Sequence, residues 1–587
     1  MAVFQNLRIL VLLFLICLTL PLWAGMTVDL QPSQPSPQTL GTPITWSAQV
    51  TGENPGALWY RFRARPHDSD FTVIRDFGPL NDLDWTAADR EGRYALEVTV
   101  RNTVTGESVS AINRFEMLPV VGETATVTAL HHPLVFLYST PACALDGRMR
   151  VEFADLEGTT TVTPWKACTA KFTMNFYLAG LRPNAAYTAR HVLDSGTTIQ
   201  RSEPLDFVAG DVAPIFGTYE VVVAPLSNAF GVVLQSSLVH LTTATDLNGN
   251  LIWFYPGDTS FLTRPVGDGT FFGIRQAPEE DVSRQVVRQF DLAGYTIKET
   301  NAARVSEQLI AMGLRPITAF HHEARLLPDG KILVLANTEE LLTDVQGEGE
   351  VDVLGDMILV LDQELNVTWA WDAFDRLDVH RVSVSGDVCT PLGGGCPPFY
   401  NSPQANDWLH GNALQYTPEG NLLYSSRHQD WIVKIEYDGG AGGGSILWRL
   451  GKDGDFTLPS GDPADWFSHQ HDSQIAPDGT LTVFDNGNTR YAEDNTAQSR
   501  GQAWVLDEVN KVARPALSAN LGVYSLALGS ASLLGNGNYH FNAGISPGIP
   551  TTHFIEVDRN GQIVYEMKVP GLTYRSFRLP DLYSGGY

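Results

Sequence analysis

Short runs of alternating hydrophobic and polar residues recur along the chain, and long amphipathic stretches are few. The run ITWSAQV occupies residues 44–50, and the run RYALEVTV occupies residues 93–100. A period of two residues is typical of β-strands that bury one face. The 53 glycines and 34 prolines favour frequent turns between such runs. The pattern therefore predicts an all-β protein.

The N-terminal third of the chain is predicted to form two β-sandwiches. The alternating runs over residues 26–120 are typical of an immunoglobulin-like sandwich, here without an internal disulfide. Over residues 121–208, the segment LRPNAAY at 181–187 resembles the turn and tyrosine of fibronectin type III domains and predicts a second sandwich. We interpret both sandwiches as accessory domains.

A different repeat begins at about residue 209. An aspartate opens a turn, and an aromatic or long side chain follows seven positions later. Five copies keep this spacing and a sixth carries a glycine insertion: Asp246/Trp253, Asp291/Lys298, Asp362/Trp369, Asp507/Arg514, Asp558/Tyr565 and Asp438/Trp448. One outer hairpin of this kind per blade is the signature of a propeller, so residues 209–587 are predicted to form a six-bladed β-propeller.

Three other hairpins carry polar residues in register with one another. Each contains a Pro-acid-Gly turn, and six positions before the proline lie His322, Asn412 and His471. In two copies a second histidine lies eight positions before the proline, at His410 and His469. Seven positions after the turn glycine come Asn337, Arg427 and Asn486.

The two spacings return the chain to the same end of each hairpin, and in a radially symmetric fold equivalent ends converge on one axis. We therefore predict one site built from five residues: His322, His410, Asn412, Arg427 and His471. Strand alternation is expected to turn His428 away from Arg427.

Length and charge narrow the function. A chain of 587 residues favours several domains. The net charge of −27 argues against a nucleic-acid partner. It also means that an anionic substrate needs a local cationic pocket, because the overall field of the protein repels it.

The N-terminus and the cysteines predict export. Residues 1–24 are typical of a secretory signal, in which Arg8 ends a short basic region and an apolar run follows. That run is short for a membrane-spanning helix, so no stable membrane insertion is expected after cleavage. Four cysteines remain, and export with an even count predicts two disulfides in a periplasmic or secreted protein. Nearest-neighbour pairing gives Cys143–Cys168 and Cys389–Cys396.

Four motifs together resemble the bacterial arylsulfate sulfotransferase family: HHE at 321–323, HGN at 410–412, SSRHQDW at 425–431 and HQHD at 469–472. The resemblance implies a six-bladed propeller that moves a sulfuryl group from an aryl sulfate donor to a phenol acceptor, without a nucleotide sulfate donor or another cofactor. It implies that His471 is the nucleophile and is transiently sulfated, and that Arg427 binds the sulfate. It implies further active-site roles for His322, His410 and Asn412. The interpretation also allows a homodimer.

The family has a short-loop disulfide, which Cys389–Cys396 matches. The chain departs from the family pattern at the N-terminus, where it carries two sandwiches.

These residue types suit sulfuryl transfer. A neutral imidazole is nucleophilic, and an ordinary pKa of about 6.5 allows this at neutral pH. Covalent catalysis divides the transfer into two easier displacements. The planar guanidinium of Arg427 can hold two sulfate oxygens. His322 or His410 can protonate the leaving phenolate and later deprotonate the acceptor.

Two other functional classes remain open. A quinone-cofactor propeller dehydrogenase would also carry Asp-turn repeats, but the sequence lacks a recognisable set of cofactor-stacking tryptophans and metal-binding acids. A non-catalytic exported propeller that binds cell-surface ligands would not need the histidines in register. In a metal-binding variant, Zn²⁺ or Cu²⁺ would be bound by His322, His410 and His471. Arg427 in the same cluster argues against a bound cation, so no metal is predicted.

Overall fold

A computed structural model gives the structure of residues 25–586 except 53–55, 145, 214–215, 227–228, 278–279, 391–394 and 549. The predicted signal segment, residues 1–24, lies outside the described residues. The described part of the chain contains 44 β-strands and two α-helices. The predicted all-β class is therefore confirmed.

Eight strands form the first unit: β1 (Thr27–Pro32), β2 (Gln38–Thr39), β3 (Ile44–Thr51), β4 (Leu58–Pro66), β5 (Thr72–Gly78), β6 (Asp82–Trp85), β7 (Gly92–Asn102) and β8 (Ser108–Leu118). One sheet has the order β1-β3-β6, and the other contains β2-β8-β7-β4-β5. Alternate residues of β3 are buried, as the sequence pattern predicted. Among them Trp46 packs edge-on against Phe115 at a centroid distance of 5.4 Å.

Nine strands form the second unit: β9 (Thr126–Ala129), β10 (Val135–Thr140), β11 (Arg148–Asp155), β12 (Thr160–Val162), β13 (Lys166–Ala167), β14 (Met174–Ala179), β15 (Ala186–Asp194), β16 (Ile199–Arg201) and β17 (Leu205–Val208). One sheet has the order β14-β10-β9, and the other is built around β11 and β15. The hydroxyl of Tyr187 accepts a hydrogen bond from the backbone N–H of Arg182 at 2.8 Å. The expected turn-and-tyrosine pair is therefore formed.

The rest of the chain begins with β18 (Glu220–Val223), β19 (Val232–Ser237), β20 (Thr243–Asp246), β21 (Leu251–Phe254), β22 (Phe261–Gly267), β23 (Thr270–Arg275), β24 (Val286–Asp291), β25 (Thr296–Asn301), α1 (Ala302–Ala311), β26 (Ala319–Leu326), β27 (Ile332–Thr343), β28 (Glu350–Leu361), β29 (Val367–Asp372), β30 (Val388–Cys389) and β31 (Ala405–Asp407).

It continues with β32 (Gly411–Tyr416), β33 (Leu422–Ser426), β34 (Trp431–Ile435), β35 (Ile446–Gly451), β36 (His471–Ile475), β37 (Leu481–Asp485), α2 (Asn488–Glu493), β38 (Arg500–Asp507), β39 (Val512–Asn520), β40 (Ser530–Leu533), β41 (Tyr539–Ala543), β42 (Thr551–Val557), β43 (Ile563–Pro570) and β44 (Thr573–Leu579). Short 3-10 helices cover Val282–Arg284, Ala373–Asp375, Asp438–Gly440 and Pro463–Asp465.

Six antiparallel four-strand units are present in the described part of this region: β22 to β25, β26 to β29, β32 to β35, β36 to β39, β40 to β43, and β44 with β19 to β21. Each contains one of the six predicted Asp turns, between its third and fourth strands. The Asp246 carboxylate, for example, accepts hydrogen bonds from the backbone N–H groups of Asn248 and Asn250, both at 2.9 Å. The carboxylate thus accepts hydrogen bonds from backbone N–H groups of the turn. This stabilises the turn and explains why an aspartate recurs at this position.

The first strands of these units contact one another in succession. β22 contacts β26, followed by β32, β36, β40 and β44, and β44 contacts β22 again. β44 also pairs with β19, so the end of the chain completes a sheet that begins more than 300 residues earlier. The six first strands therefore form a closed series of neighbours.

A buried ionic cluster links these first strands. Arg575 on β44 donates to the carbonyl oxygen of Thr263 on β22 at 3.1 Å, and its Nη1 pairs with Glu323 on β26 at 2.8 Å. Asp472 on β36 is paired with Arg264 on β22. Each of these charged side chains is nearly inaccessible to water. Each buried charge in the cluster therefore faces a charge of opposite sign, and this attraction offsets the cost of removing the charge from water.

Other contacts connect the units and loops. The first unit joins the β22–β25 sheet where β5 runs beside β25, and there Arg75 and Glu299 form an ion pair at 2.7 Å. The disulfides are Cys143–Cys168 and Cys389–Cys396, which is the predicted pairing. Among the described residues, the helices are too short or too polar to cross a membrane.

Candidate active site

Three first strands carry β-bulges where the sequence predicted site residues. The pairing of β26 shifts between Phe320 and Ala324, that of β32 shifts between Gly411 and Ala413, and that of β36 shifts after His471. Bulges leave residues outside the ladder and re-aim side chains, and they are common beside active sites. Left-handed backbone, which non-glycine residues rarely adopt, occurs here at His322 (φ 59°), His410 (φ 48°) and Asp472 (φ 51°).

Four histidine rings form a row across the site. The ring of His322 lies 4.8 Å from that of His410, which stacks on His428 at 4.7 Å. His469 lies beyond His428 at 5.9 Å. Burial, and then the proximity of His410, lowers the pKa of His322 well below its ordinary value. Burial, and then the charge of Arg427, does the same to the pKa of His428.

His471 is held by a side-chain amide. Its Nδ1 lies 2.7 Å from the Oδ1 of Asn486. The Nδ2 of Asn486 donates to the carbonyl oxygens of Ser525 at 2.9 Å and Leu528 at 3.1 Å. Burial, followed by the charge of Arg427, lowers the pKa of His471 well below its ordinary value. The ring is therefore neutral at neutral pH.

Two other histidines each have a carboxylate beside a ring nitrogen. The Nδ1 of His410 lies 2.6 Å from the Oδ2 of Asp407, and the Nε2 of His321 lies 3.1 Å from the Oδ1 of Asp356. The Nδ1 of His321 in turn lies 2.8 Å from the Nδ1 of His322. Because a carboxylate only accepts hydrogen bonds, it favours a proton on the facing ring nitrogen. Histidines that face carboxylates and a histidine that faces an amide therefore lie side by side in the site.

Arg427 opens the turn that follows β33. Its Nη1 contacts the Nε2 of His428 and lies 3.9 Å from the Asp387 carboxylate, and its Nη2 lies 3.4 Å from the carbonyl oxygen of Leu526. Its buried Nε has no hydrogen-bond partner among the described residues. A guanidinium with an unused donor beside neutral imidazoles can bind a small anion.

The expectation that His428 faces away from Arg427 is wrong. β33 ends at Ser426, and residues 427–430 form a turn, so strand alternation no longer applies. The Nδ1 of His428 lies 2.7 Å from the backbone oxygen of Asp407, which holds its ring inside the site.

Asn412 is fixed at both its side chain and its backbone. Its Nδ2 donates to the carbonyl oxygen of Gln470 at 2.7 Å, which ties it to the residue before His471. Its backbone oxygen accepts from the Tyr574 hydroxyl at 3.2 Å and from Arg575. Its Oδ1 has no partner within the described ranges. The structure thus brings all five predicted residues into one neighbourhood.

Several residues of this neighbourhood were not identified from the sequence. Tyr574 and Arg575 lie on β44, whose sheet is completed by strands from the start of the region, so the hairpin repeat is interrupted there. Asp407 comes from a loop-flanked strand outside the repeat. Asn486 did carry a signal, because it shares the register position of Arg427.

Comparison with known proteins identifies the region that holds this site. The family model described as Arylsulfotransferase (ASST) matches residues 216–578, which is more than half of the chain. The chain belongs to the arylsulfotransferase family. All five predicted active-site residues of this arylsulfotransferase-family chain lie within the matched region, and the two N-terminal units precede it.

Two curated relatives are arylsulfate sulfotransferases named AssT. The chain is 25% identical over 316 residues to that of Escherichia coli O6:H1, covering 44% of this chain and 48% of the relative. It is 24% identical over 340 residues to that of Lelliottia amnigena, covering 48% of this chain and 53% of the relative. The chain therefore spans about half the length of the curated relatives that it matches.

Among solved structures, a segment of two fibronectin type III domains from chicken tenascin is 16% identical and covers 31% of this chain and 97% of that chain. The TM-score is 0.14, so this similarity carries no structural argument.

A metal ion fits this arylsulfotransferase-family site poorly. Asp407, His410 and His428 bring ligand atoms within 4.8 Å of one another. However, the Nδ1 atoms of both histidines already bond to Asp407, and the cationic Arg427 contacts His428. A metal cation would have to displace these contacts beside a guanidinium. The same arrangement favours an anion.

Proposed function

We propose that this arylsulfotransferase-family protein transfers a sulfuryl group from an aryl sulfate to a phenol through a sulfated His471. The observation that best supports this is that His471, which is buried and neutral, lies near Arg427, which is buried and has a free Nε–H donor. A sulfuryl group is compact and anionic, so its transfer depends mainly on positioning and on positive charge, as phosphoryl transfer does.

The donor sulfate is proposed to bind Arg427 and Asn412. The free Nε–H of Arg427 can donate to one sulfate oxygen, and the Asn412 side chain lies on the strand that faces the His471 strand. Arg427 would act in both the ground state and the transition state, because the sulfuryl group stays anionic throughout. His322 is proposed to stabilise the developing charge from the other side.

His410 is proposed as the general acid and base. Asp407 holds the Nδ1 side of its ring, so the Nε2 of His410 is left to protonate the departing phenolate and to accept the proton of the incoming phenol. In the first step the bond between sulfur and the phenolic oxygen breaks as a bond to His471 forms. In the second step the acceptor oxygen attacks sulfur and His471 leaves unchanged.

The six four-strand units are proposed to be the blades of a six-bladed β-propeller over residues 209–587, after the sandwiches at 26–120 and 121–208. The closed series of contacts between first strands supports this arrangement. We also propose a periplasmic or secreted location, which the two disulfides support. Homodimer formation remains a prediction that light scattering can test.

The activity is tested by mixing the purified protein with 4-nitrophenyl sulfate, with and without phenol and without any nucleotide. We expect release of 4-nitrophenol to be much faster when phenol is present. The same rate without phenol would indicate a sulfatase. No release with any aryl sulfate would contradict the proposed activity and leave the ligand-binding alternative.

A further inference from the structure

We propose that Asn486 is a positioning residue that keeps His471 in the tautomer protonated at Nδ1, so that Nε2 is the atom that attacks sulfur. The inference rests on the proposed function and adds a residue to it. Asn486 shares its register position with Arg427 and Asn337, and the proposed function involves only Arg427 of these three.

The neighbours of Asn486 determine which way its amide points. Two backbone carbonyl oxygens, of Ser525 and Leu528, lie 2.9 and 3.1 Å from its Nδ2. Carbonyl oxygens only accept, so they require the NH₂ group on that side. The oxygen Oδ1 must then face His471, as the 2.7 Å contact shows. An amide oxygen also only accepts, so the Nδ1 of His471 must carry the proton.

The consequence for His471 follows from the chemistry of imidazole. A neutral ring has one protonated nitrogen and one nitrogen with a free lone pair. With the proton on Nδ1, the lone pair is on Nε2, and only that atom can attack. As the bond from Nε2 to sulfur forms, the ring becomes a cation carrying SO₃⁻, and the electron pair of the broken S–O bond leaves with the phenolate. The Nδ1 proton stays in place, and Asn486 stabilises the positive ring.

The choice of an amide rather than a carboxylate has a physical reason. A carboxylate at this position would stabilise the imidazolium before any donor arrives, and a protonated ring cannot attack. His410, the proposed acid and base, does face a carboxylate, that of Asp407, at 2.6 Å. The amide of Asn486 orients His471 without adding a charge. Burial and then the charge of Arg427 lower the pKa of His471, whereas its hydrogen bond to the Asn486 amide raises the pKa.

Asn337 offers a matched control in the same protein. It occupies the equivalent register position, is equally buried, and its Nδ2 also donates to a backbone carbonyl, that of Pro398, at 3.0 Å. Its Oδ1 has no hydrogen-bond partner in the described part of the chain. Asn337→Leu therefore removes a similar buried amide without removing an acceptor for a histidine.

The test is the burst of 4-nitrophenol released in a single turnover from 4-nitrophenyl sulfate, measured from acidic to neutral pH. The burst rate should fall at acidic pH as His471 becomes protonated, which gives the pH profile an acidic limb. Asn486→Asp should shift this limb to higher pH by at least about one unit, because the carboxylate raises the pKa of His471. Asn486→Leu should slow the burst by at least about 100-fold, because a catalytic histidine held in the wrong tautomer, as in variants of the Ser-His-Asp triad, loses much of its activity. Asn337→Leu should leave the limb where it is in the wild type.

A second measurement reads the tautomer itself. Two-bond ¹⁵N–¹H spectra of protein labelled at histidine should show His471 as the Nδ1–H tautomer, assigned by the signal lost in His471→Gln. In Asn486→Leu that signal should change to a tautomer mixture. An unmoved acidic limb in Asn486→Asp, or an Nε2–H tautomer in the wild type, would overturn the inference. If the wild type gives no burst, the proposed function fails instead.

Discussion

Single side chains decide the chemistry of this site through their hydrogen-bond partners. His471 faces a neutral amide and is buried, and burial disfavours a charge on its ring, whereas His410 faces a carboxylate. Arg427 adds a positive charge that further disfavours the protonated form of His471. We therefore assign nucleophilic and acid–base roles by partner and not by position in the motif.

The first prediction at the residue scale concerns the covalent intermediate. His471→Ala should lower both the burst from 4-nitrophenyl sulfate and its discharge to phenol by at least about a thousandfold, because it removes the proposed nucleophile. In the wild type, incubation with donor alone and digestion under non-acidic conditions should leave the sulfuryl group on the peptide that contains His471. Label on the peptide of His322 or His410 would contradict the assignment of the nucleophile.

The second residue-scale prediction concerns stability and pH. Burial lowers the folded-state pKa of His471, while an unfolded histidine titrates at about 6.5. Below that pH the unfolded chain binds a proton that the folded state refuses, so this histidine makes the free energy of unfolding fall as the pH drops. His471→Gln should remove up to about 1.4 kcal/mol per pH unit of this slope between pH 6.5 and 5.5.

Urea unfolding at several pH values, compared between the variant and the wild type, measures that slope. The comparison isolates His471, because other buried histidines such as His322 and His428 are present in both proteins. Equal slopes in the two proteins would show that His471 does not remain neutral in the folded state.

At the scale of elements, turns and bulges convert a simple repeat into a site. The Asp turns join the third and fourth strands of each unit, and the bulges in β26, β32 and β36 re-aim the residues beside them. The segment before Cys389 adds Asp387, whose carboxylate lies 3.9 Å from Arg427 and 3.5 Å from His428. A loop, and not a strand, thus completes the polar wall of the site.

The element-scale prediction concerns the two disulfides. Non-reducing peptide mapping should find Cys143–Cys168 and Cys389–Cys396, and four free thiols would contradict this. The sequence separations are 25 and 7, so loop entropy predicts a loss of about 3.5 kcal/mol for the Ser variants of the first pair and about 2.4 kcal/mol for those of the second. Thermal unfolding of the two double variants measures the order of the losses.

At the scale of the whole molecule, β44 closes the series of contacts between the first strands. β44 supplies a strand to the sheet of β19, and Arg575 on it reaches strands β22, β26 and β32. One side chain therefore joins segments separated by more than 150 residues. The site depends on this closure because Tyr574 and Arg575 hold the backbone of Asn412.

The prediction at this scale is that Arg575→Met destabilises the protein strongly. Removing the guanidinium leaves Arg264 as the cation that Glu323 and Asp472 share in the buried cluster, and the loss of one partner from a buried ion pair typically costs about 3 to 5 kcal/mol. The control is Arg275→Met, because Arg275 pairs with Asp258, whose side chain is 70% exposed, and such pairs contribute at most about 1 kcal/mol. Equal urea midpoints for the two variants would contradict a role for Arg575 in closure.

The sequence by itself determined the strands, the six Asp turns and the register of His322, Asn412 and His471. These features follow from local periodicity and from turn chemistry, which act over a few neighbouring residues. It also determined the two disulfide pairs, because each joins cysteines that are neighbours along the chain.

Only the tertiary structure decided how the site works. The ring of His428 points into the site because strand β33 ends one residue before Arg427. Packing also brings Asp407, Tyr574 and Arg575 to the site. It also set which nitrogen of each histidine is bonded. These features depend on bulges that interrupt alternation and on contacts between distant segments. A periodic sequence pattern predicts neither the bulges nor these distant contacts. Both depend on which buried polar groups must form hydrogen bonds with one another once the sheets have packed.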